Sequence, residues 1–273
     1  MDIILYNIAA AIICLVFGYL LGSIEFSIII GKVFFHQDPR EYGSKNAGGT
    51  NAGRLWGKKV GLTVIILDMV KTIIPMWICW AILTFAPLDG GVKPLLASTI
   101  DFFEPDVLAT FKIQWPVYLL ANLGALLGHC WPCFDHFKGG KGVSAYMGTL
   151  LAASWGIGFV PAFAYFAVLK KTKYVSFTSI FMGVYGSLLA WIWYILVATH
   201  VIPHGFEWIV GYGPTINVAN LAYAITITVM ATIMIIRHHA NIKRIIDGTE
   251  RKITWMGGNK KKEEAPVQES TSK

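Results

Sequence analysis

Long apolar stretches alternate with short polar connections along most of the chain. The apolar stretches cover residues 3–31, 60–87, 116–130, 143–169, 174–199 and 218–236. Most approach the roughly 20 residues that a helix needs to cross about 30 Å of hydrocarbon. The pattern therefore predicts an all-α, polytopic membrane helical bundle. A composition of 55% hydrophobic and 14% charged residues is also too apolar for an ordinary soluble domain.

The stretch at residues 143–169 has two interpretations. It forms either one tilted helix or a hairpin of two short helices broken around Gly156, Gly158 and Pro161. Positive charge gathers on the cytoplasmic side of membrane proteins, and only the hairpin returns both the lysine cluster at 170–173 and the basic C-terminal region to that side. The hairpin is therefore favoured.

The resulting arrangement has about seven transmembrane helices, with the N-terminus outside and the C-terminus cytoplasmic. All but Lys71, Lys93 and Lys112 of the 23 lysines and arginines then lie on the cytoplasmic side. Residues 1–256 form a single membrane-embedded domain, and residues 257–273, rich in lysine and glutamate, form a disordered cytoplasmic tail. The net charge of +7 follows from this topology, so no nucleic-acid partner is predicted.

Charged residues also occur within the apolar stretches. Asp68 and Lys71 are three residues apart, share a helical face and can pair with each other. The pair either lines a polar cavity or serves as a structural ion pair. Glu25, near the cytoplasmic end of the first stretch, has no obvious partner.

A first cytoplasmic segment, from Arg40 to Arg54, is dense in hydrogen-bond donors. Glycines allow backbone N–H groups to form an anion nest, and hydroxyls, amides and a guanidinium add donors. This combination predicts phosphate binding, against the alternative of an ordinary loop beside the membrane. The candidate residues are Ser44, Asn46, Gly49, Thr50, Asn51 and Arg54.

A second segment precedes the apolar stretch that begins at Val143. Glycines and a lysine at a helix N-terminus form an anion site that the helix dipole assists, although an ordinary glycine-rich turn is the alternative. The spacing is not that of a Walker A loop. The candidates are Lys138, Gly139, Gly140, Lys141 and Gly142.

A third segment, residues 237–244, carries His238, Asn241 and Arg244 at helical spacing on one face. That face presents three donors to a phosphate ester, or else a basic helix to lipid headgroups. Cys130 and Cys133 form a C-x-x-C that the topology places in a reducing compartment, so no redox role is predicted. No metal site, cofactor or Ser-His-Asp triad is predicted.

Taken together, these segments resemble the PlsY-type bacterial acyl-phosphate:glycerol-3-phosphate acyltransferases. The motifs of the resemblance are residues 22–26, 43–54, 128–129 with 137–142, 173–176 and 237–250. Their order and spacing match the family across nearly the whole chain, apart from longer outside loops around 88–115 and 200–217 and the tail.

The resemblance implies transfer of a fatty acyl group from acyl phosphate to the 1-hydroxyl of sn-glycerol 3-phosphate, the first step of phospholipid synthesis. It implies a location in the bilayer of the bacterial cell membrane, with the active site facing the cytoplasm. By motif position, the catalytic residues are Ser44, Arg54, Lys141, His238 and Asn241. The substrate-binding residues are Ser23, Asn46, Gly49, Thr50, Asn51, Lys138, Gly139, Gly140, Gly142 and Ser176, and Glu250 is a structural anchor.

The sequence departs from the family pattern at a few positions. Glu25 stands where the family commonly has proline, Ala47 and Gly49 replace an apolar residue and an alanine, and Ala52 replaces a valine. None of these changes removes a hydroxyl, amide or base that the chemistry needs. Glu25 is expected to alter the entrance to its helix.

An acyl phosphate carries a good leaving group, so the protein mainly has to hold two phosphate-bearing molecules and offset developing charge. We expect direct attack by the substrate hydroxyl, with Lys141 and Arg54 stabilising phosphate charge. Ser44 and Thr50 donate hydrogen bonds, and the proton leaves through a phosphate oxygen. A positioning role for His238 is favoured over general base. The alternative function, a transporter of phosphate esters, calls for midplane sites between repeated halves, and the sequence has no internal repeat.

Overall fold

The computed structural model describes residues 3–85, 116–199, 201–202 and 221–253, and the regular secondary structure of these residues is helical with no strand. The tail at 257–273 and nearly all of the longer loops at 88–115 and 200–217 lie outside those ranges. The helices are α1 (Ile3–Gly22), α2 (Phe26–Phe35), α3 (Gly49–Trp56), α4 (Lys58–Phe85), α5 (Leu119–Cys130), α6 (Val143–Ala153), α7 (Trp155–Thr172), α8 (Val175–Ala198), α9 (Leu221–Ile236) and α10 (His239–Ile246).

Three segments of the described chain are long and apolar enough to cross a membrane. They are Ile8–Phe35, Lys58–Leu83 and Val175–Ala198, and the pair α9 and α10, bent by 59°, makes a fourth if it counts as one span. Shorter apolar helices such as α6 accompany them. The fold is therefore an all-helical membrane bundle with three to four candidate spans, and the count of seven stays a prediction.

The first apolar stretch is not one continuous helix. α1 ends at Gly22, and α2 begins at Phe26 after a short turn. Glu25 precedes α2 with extended backbone angles (φ −94°, ψ 92°), and its side chain does not cap the helix. Instead, that side chain is buried within the bundle.

The stretch at residues 143–169 does form two helices, but they meet earlier than the sequence indicated. The break is at Ser154, whose backbone is extended and whose Oγ accepts a 3.1 Å hydrogen bond from Ile157 N at the start of α7. α7 then continues through Pro161. A serine cap therefore sets the break, rather than the glycines and proline that follow.

Helices α1 and α5 pack with their backbones in direct contact along a glycine seam. A Cβ at Gly18 or Gly22 would collide with a backbone oxygen of α5, and one at Gly124 or Gly128 would collide with a backbone oxygen of α1. Close approach of this kind is typical of helices in membranes, where packing rather than water exclusion drives association. The seam fixes the position of α5 against α1.

Helix α6 occupies the centre of the bundle, between α4, α5, α7 and α9. Its Tyr146 and Leu150 are fully buried, and Tyr146 Oη donates a 3.2 Å hydrogen bond to Gly183 O of α8. Large aliphatic and aromatic side chains on the outer faces of α4 and α8, such as Ile66 and Leu188, are exposed. Core and outer surface are both apolar, as expected of a protein whose solvent is lipid.

Candidate active site

Four helices begin at one cavity of about 350 Å³. Its lining includes first-turn residues of each: Thr50 of α3, Ser144 of α6, Ser176 of α8 and Asn241 of α10. A helix N-terminus carries unpaired N–H groups and the positive end of the helix dipole. The cavity therefore combines four positive helix ends, which makes it suited to anions.

The loop that leads into α3 is held in shape by the side chain of Asn51. Its Oδ1 accepts a hydrogen bond from Ser44 N at 2.9 Å, while Nδ2 donates to Pro39 O at 2.7 Å and to Tyr42 O at 3.2 Å. A single buried amide thus satisfies three backbone groups of the loop. Because Ser44 and Asn51 both line the cavity, the loop's wall of the site depends on this amide.

Arg40 connects this loop to the segment that follows α5. Its guanidinium pairs with Asp38 at 2.7 Å and donates to Asp135 O at 3.0 Å and to Lys138 O at 3.4 Å. The hydrogen bond from Arg40 lowers the pKa of Asp38 below its usual value despite opposing desolvation. The two donor-rich segments are therefore joined away from the cavity.

Gly139 and Gly140 pack on His129. Gly140 N donates a 2.9 Å hydrogen bond to His129 O, and a Cβ at Gly140 would collide with His129 Nε2. On the other side, Arg237 donates to Gly140 O at 2.9 Å while its guanidinium lies 5.1 Å from the ring centre of Trp131. These glycines permit close packing of the segment on α5.

A chain of hydrogen bonds joins the start of α6 to α8 and to the end of the described chain. Lys141 Nζ donates to Asn241 Oδ1 at 2.8 Å, and Asn241 Nδ2 donates to Ser176 Oγ at 2.7 Å and to Glu250 Oε1 at 2.8 Å. Ser176 Oγ donates to the same Glu250 oxygen at 2.5 Å, and Arg244 Nε donates to the other at 2.7 Å. All five side chains line the cavity.

The charges in this network are set by their surroundings. Burial lowers the pKa of Lys141 from 10.5 to about 8, aided by nearby Arg244 and Arg54 and opposed by Glu250. Burial alone would raise the pKa of Glu250, but the hydrogen bonds from Ser176, Asn241 and Arg244 outweigh it and lower that pKa. At neutral pH the network thus holds a cationic lysine and an anionic glutamate.

His238 lies at the bend between α9 and α10 and is buried. Its Nδ1 is 2.8 Å from Met234 O, so Nδ1 carries the proton and donates to that carbonyl. Burial lowers the pKa of His238 to about 4, with Lys141 and Arg237 adding to the effect. The ring is therefore neutral at pH 7, and its Nε2 is a hydrogen-bond acceptor.

Most of the residues predicted from the three segments lie together. Those that line the cavity are Ser44, Asn46, Gly49, Thr50, Asn51, Arg54, Lys141, Ser176, His238, Asn241 and Glu250. The bend places His238 at the start of α10, one turn before Asn241, with Arg244 one turn further along that helix. Residues from four separate segments thus line one cavity.

Five predicted substrate-binding residues are not among the lining residues. Ser23 Oγ donates to Tyr19 O at 2.8 Å and accepts from Cys133 N at 3.3 Å. Lys138 is exposed, and Gly139 and Gly140 pack on α5. Gly142 precedes α6 with a φ of +86°, a conformation that favours glycine. Their contacts in the structure are packing and backbone contacts.

Several lining residues were not predicted as site residues. The apolar and aromatic ones are Ile65, Val143, Met147, Tyr165, Phe166, Leu169 and Val175. No sequence signal distinguishes them, because apolar residues fill every helix. Asp68 and His129 also line the cavity. The sequence had left open whether Asp68 lines a polar cavity or belongs to a structural ion pair.

The ion pair within α4 is larger than the sequence indicated. Lys71 Nζ lies 3.0 Å from Asp68 Oδ1 and 3.0 Å from Glu25 Oε1, and it donates a 2.8 Å hydrogen bond to Ile24 O. His129 Nδ1 lies 3.2 Å from the same Glu25 oxygen. Glu25, for which the sequence shows no obvious partner, is thus paired with residues that are 46 or more positions away along the chain.

Comparisons with known proteins agree on one family. A family model described as glycerol-3-phosphate acyltransferase matches residues 12–248. The chain is 31% identical over 253 residues to a glycerol-3-phosphate acyltransferase of Mycoplasmopsis synoviae, covering 92% of this chain and 98% of the relative. It is 32% identical over 244 residues to the enzyme of that name from Enterococcus faecalis, covering 89% and 92%.

Solved structures show the same likeness in three dimensions. A crystal structure of PlsY, an integral membrane glycerol 3-phosphate acyltransferase in its glycerol 3-phosphate form, matches with a TM-score of 0.66 at 27% identity, covering 89% of this chain and 96% of that one. The lysophosphatidic acid form of PlsY matches with a TM-score of 0.64 at 26% identity.

Proposed function

The chain belongs to the glycerol-3-phosphate acyltransferase family, and on that basis we propose that it transfers a fatty acyl group from acyl phosphate to the 1-hydroxyl of sn-glycerol 3-phosphate. The products are lysophosphatidic acid and inorganic phosphate. This is the first step of membrane phospholipid synthesis.

One observation carries the choice of two phosphate-bearing substrates. The cavity gathers Arg54, Lys141 and Arg244 with the N-termini of four helices, and its lining also includes apolar and aromatic side chains. The positive groups suit two phosphates held side by side, and the apolar lining suits the beginning of an acyl chain. An acyl phosphate, which has a phosphate at one end of a hydrocarbon chain, fits this division.

In the proposed reaction the 1-hydroxyl oxygen of glycerol 3-phosphate attacks the carbonyl carbon of the acyl phosphate. A new C–O ester bond forms, the bond between the acyl carbon and the phosphate oxygen breaks, and the hydroxyl proton passes to a phosphate oxygen. Lys141 and Arg54 stabilise the phosphate charge, and Ser44 and Thr50 donate hydrogen bonds. Holding both substrates in line supplies much of the acceleration.

Direct attack needs no acyl-enzyme, and the contacts of Ser176 support this. Its hydroxyl donates to Glu250 and accepts from Asn241, so it is committed to the network. Glu250 accepts hydrogen bonds from three side chains, and its lowered pKa makes it a weak base. We assign Glu250 to anchoring α10 against α8.

We assign a positioning role to His238. A ring with a pKa of about 4 is a weak base at neutral pH, and its unprotonated Nε2 can accept a hydrogen bond from a substrate hydroxyl. Asn241 is proposed to hold Lys141 toward the phosphates.

The proposal includes the topology. Seven transmembrane helices, with the N-terminus outside and the C-terminus cytoplasmic, place the cavity on the cytoplasmic side of a bacterial cell membrane. The donor-rich loops then face the compartment that holds soluble glycerol 3-phosphate. Cysteine accessibility of single-cysteine variants in sealed vesicles tests this orientation.

The purified protein in lipid nanodiscs should be supplied with palmitoyl phosphate or palmitoyl-CoA, each with glycerol 3-phosphate. We expect equal amounts of inorganic phosphate and lysophosphatidic acid from palmitoyl phosphate, and none from the Lys141→Met variant. Product from palmitoyl-CoA alone would overturn the proposed donor. No lysophosphatidic acid from either donor would overturn the proposed reaction.

A further inference from the structure

The carboxylate of Glu25 is buried in the turn between α1 and α2, where it neither caps α2 nor reaches solvent. An unpaired carboxylate at such a site would be costly, and this one is matched by the ammonium of Lys71 at 3.0 Å. Lys71 has three N–H donors and three oxygens within 3.0 Å, from Ile24, Glu25 and Asp68. Glu25 therefore completes the surroundings of a buried lysine.

The same Glu25 oxygen also faces α5. His129 Nδ1 lies 3.2 Å from Glu25 Oε1 and 3.8 Å from Asp68 Oδ1, so two carboxylates lie beside one edge of the imidazole ring, although neither contact has hydrogen-bond geometry. The ring is buried, with only 3% of His129 exposed, and cannot swing into solvent. The ion cluster of Glu25, Asp68 and Lys71 thus packs against that edge of the His129 ring.

The other side of His129 supports the segment that carries Lys141. Gly140 N donates to His129 O, and the Cα of Gly140 lies so close to Nε2 that no Cβ fits between them. Gly139 is equally close to the His129 carbonyl oxygen. The next residue after Gly140 is Lys141, whose ammonium lies in the cavity beside Asn241.

From this continuous set of contacts we propose that Glu25 is a positioning residue for Lys141, acting through His129 and Gly140. The inference rests on the proposed function, because Lys141 is the group assigned to the phosphates. It gives the buried ion cluster a task in the reaction, namely to keep the loop packed on α5 so that Lys141 stays half-buried at its place in the cavity.

The fall in activity at high pH, called here the alkaline limb of the pH profile, depends on the pKa of Lys141 and therefore reports how deeply Lys141 is buried. Its pKa of about 8 results mainly from burial, so a loop that moves away from α5 exposes the ammonium and raises that pKa toward 10.5. The charged or titratable groups that interact with it are Arg54, Arg237, His238, Arg244 and Glu250, and the cavity is also lined by Lys45, Asp68, His129 and Arg251. Loss of the Glu25 charge by itself acts in the opposite direction, because removing an anion lowers the pKa of a lysine.

The test compares the wild type with Glu25→Ala, Glu25→Gln and Gly140→Ala in nanodiscs between pH 6 and 10. Two quantities are measured: phosphate release from palmitoyl phosphate with glycerol 3-phosphate, and calorimetric binding of glycerol 3-phosphate alone. We expect Glu25→Ala to shift the midpoint of the alkaline limb to a higher pH by about one unit. It should also lower kcat/KM by about tenfold to a hundredfold, as small misplacements of a catalytic group do. Glu25→Gln should shift the midpoint less, and Gly140→Ala should shift it in the same direction.

Asn122→Ala is the matched control. Asn122 Nδ2 donates a buried 3.0 Å hydrogen bond to Thr72 O, so this variant loosens the same two helices, α5 and α4, without touching His129. It should lower thermal stability and leave the limb at its wild-type pH. If Glu25→Ala does not fold, Glu25→Gln and Gly140→Ala decide the question.

The positioning role is overturned if the midpoint of the alkaline limb is unchanged or shifted to lower pH in the Glu25 variants. It is also overturned if Asn122→Ala shifts the midpoint equally, or if the wild type shows no alkaline limb in either measurement. A wild type that binds glycerol 3-phosphate but releases no phosphate overturns the proposed function instead. In that case the pH dependence of binding still decides whether Glu25 acts on Lys141.

Discussion

Lys141 Nζ donates a 2.8 Å hydrogen bond to Asn241 Oδ1, and this contact joins the loop before α6 to the first turn of α10. The two residues are 100 positions apart in the chain. An amide oxygen binds the ammonium without neutralising its charge, so the lysine stays available to a phosphate. The contact also orients the amide so that its NH₂ group reaches Ser176 and Glu250.

The first prediction concerns alkaline pH. On the proposed function, Lys141 binds phosphate in its protonated form, which dominates below its pKa of about 8 and disappears as pH rises through that value. We expect kcat/KM for glycerol 3-phosphate to fall about tenfold per pH unit above pH 8, as loss of one proton requires. Initial rates of phosphate release between pH 6 and 10 measure this.

Lys141→Arg provides the control, because a guanidinium does not lose its charge in this range. That variant is expected to be less active, since its planar group fits the space of an ammonium poorly, but to show no alkaline limb. An arginine variant with the same limb as the wild type would assign the titration to another group.

The second prediction separates the two roles of His238. We expect His238→Gln to lower kcat/KM by about tenfold, because a glutamine oxygen can still accept a hydrogen bond, and His238→Ala to lower it by about a hundredfold. The ratio of His238→Gln to wild-type rates should stay constant from pH 5 to 7.5. This ratio cancels the ionisation of the substrates, and it is constant in either role because His238, with a pKa of about 4, is neutral throughout this range. A His238→Gln variant as inactive as His238→Ala would instead establish His238 as a general base, because a glutamine side chain cannot take up a proton.

The third prediction concerns the loop before α3. Asn51→Ala removes the partner of three backbone groups, at Pro39, Tyr42 and Ser44. At roughly 1 kcal/mol for each hydrogen bond, we expect a loss of about 2–4 kcal/mol in the stability of the loop and a raised KM for glycerol 3-phosphate. Limited proteolysis of the loop measures its stability. Asn46→Ala, in the same loop, should leave the cleavage rate nearer to that of the wild type.

The fourth prediction uses the lowered pKa of Glu250. A carboxylate whose pKa is lower in the folded state stabilises the fold above its unfolded pKa, and this stabilisation is lost as pH falls through the folded pKa. We therefore expect Glu250→Gln to lower the Tm at pH 7 and to differ less from the wild type as the pH is lowered. A Tm difference that grows toward low pH would contradict the assignment, and Glu41→Gln, at an exposed position, should show no trend.

The donor-rich segments could be found from the sequence because their chemistry is unusual beside apolar helices. Glycine, amide, hydroxyl and cationic residues in short loops indicated anion binding at Ser44, Arg54 and Lys141, and the structure brings all three to one cavity. Helical spacing also placed Asn241 correctly on a face with Arg244. What spacing does not show is that the helix bends at His238 and begins again.

Other features depended on contacts that a single sequence does not display. Hydrophobic periodicity marks burial in protein or lipid alike, so it did not locate the helix breaks at Ser154 or before Glu25. The ion pair of Glu25 and Lys71 joins residues on different helices and has no local pattern. The apolar residues that line the cavity could not be predicted from the sequence for the same reason, since they resemble the residues that face lipid.

The glycine seam between α1 and α5 restricts where a lipid substrate can enter the bundle. Where two helix backbones touch, no gap is left through which a hydrocarbon tail could slide, so this side of the bundle is sealed to lipid. On the proposed function, we then expect the acyl donor to reach the cavity from another side of the bundle. Phe166 of α7 lines the cavity and is 48% exposed, so entry past α7 is the expected route.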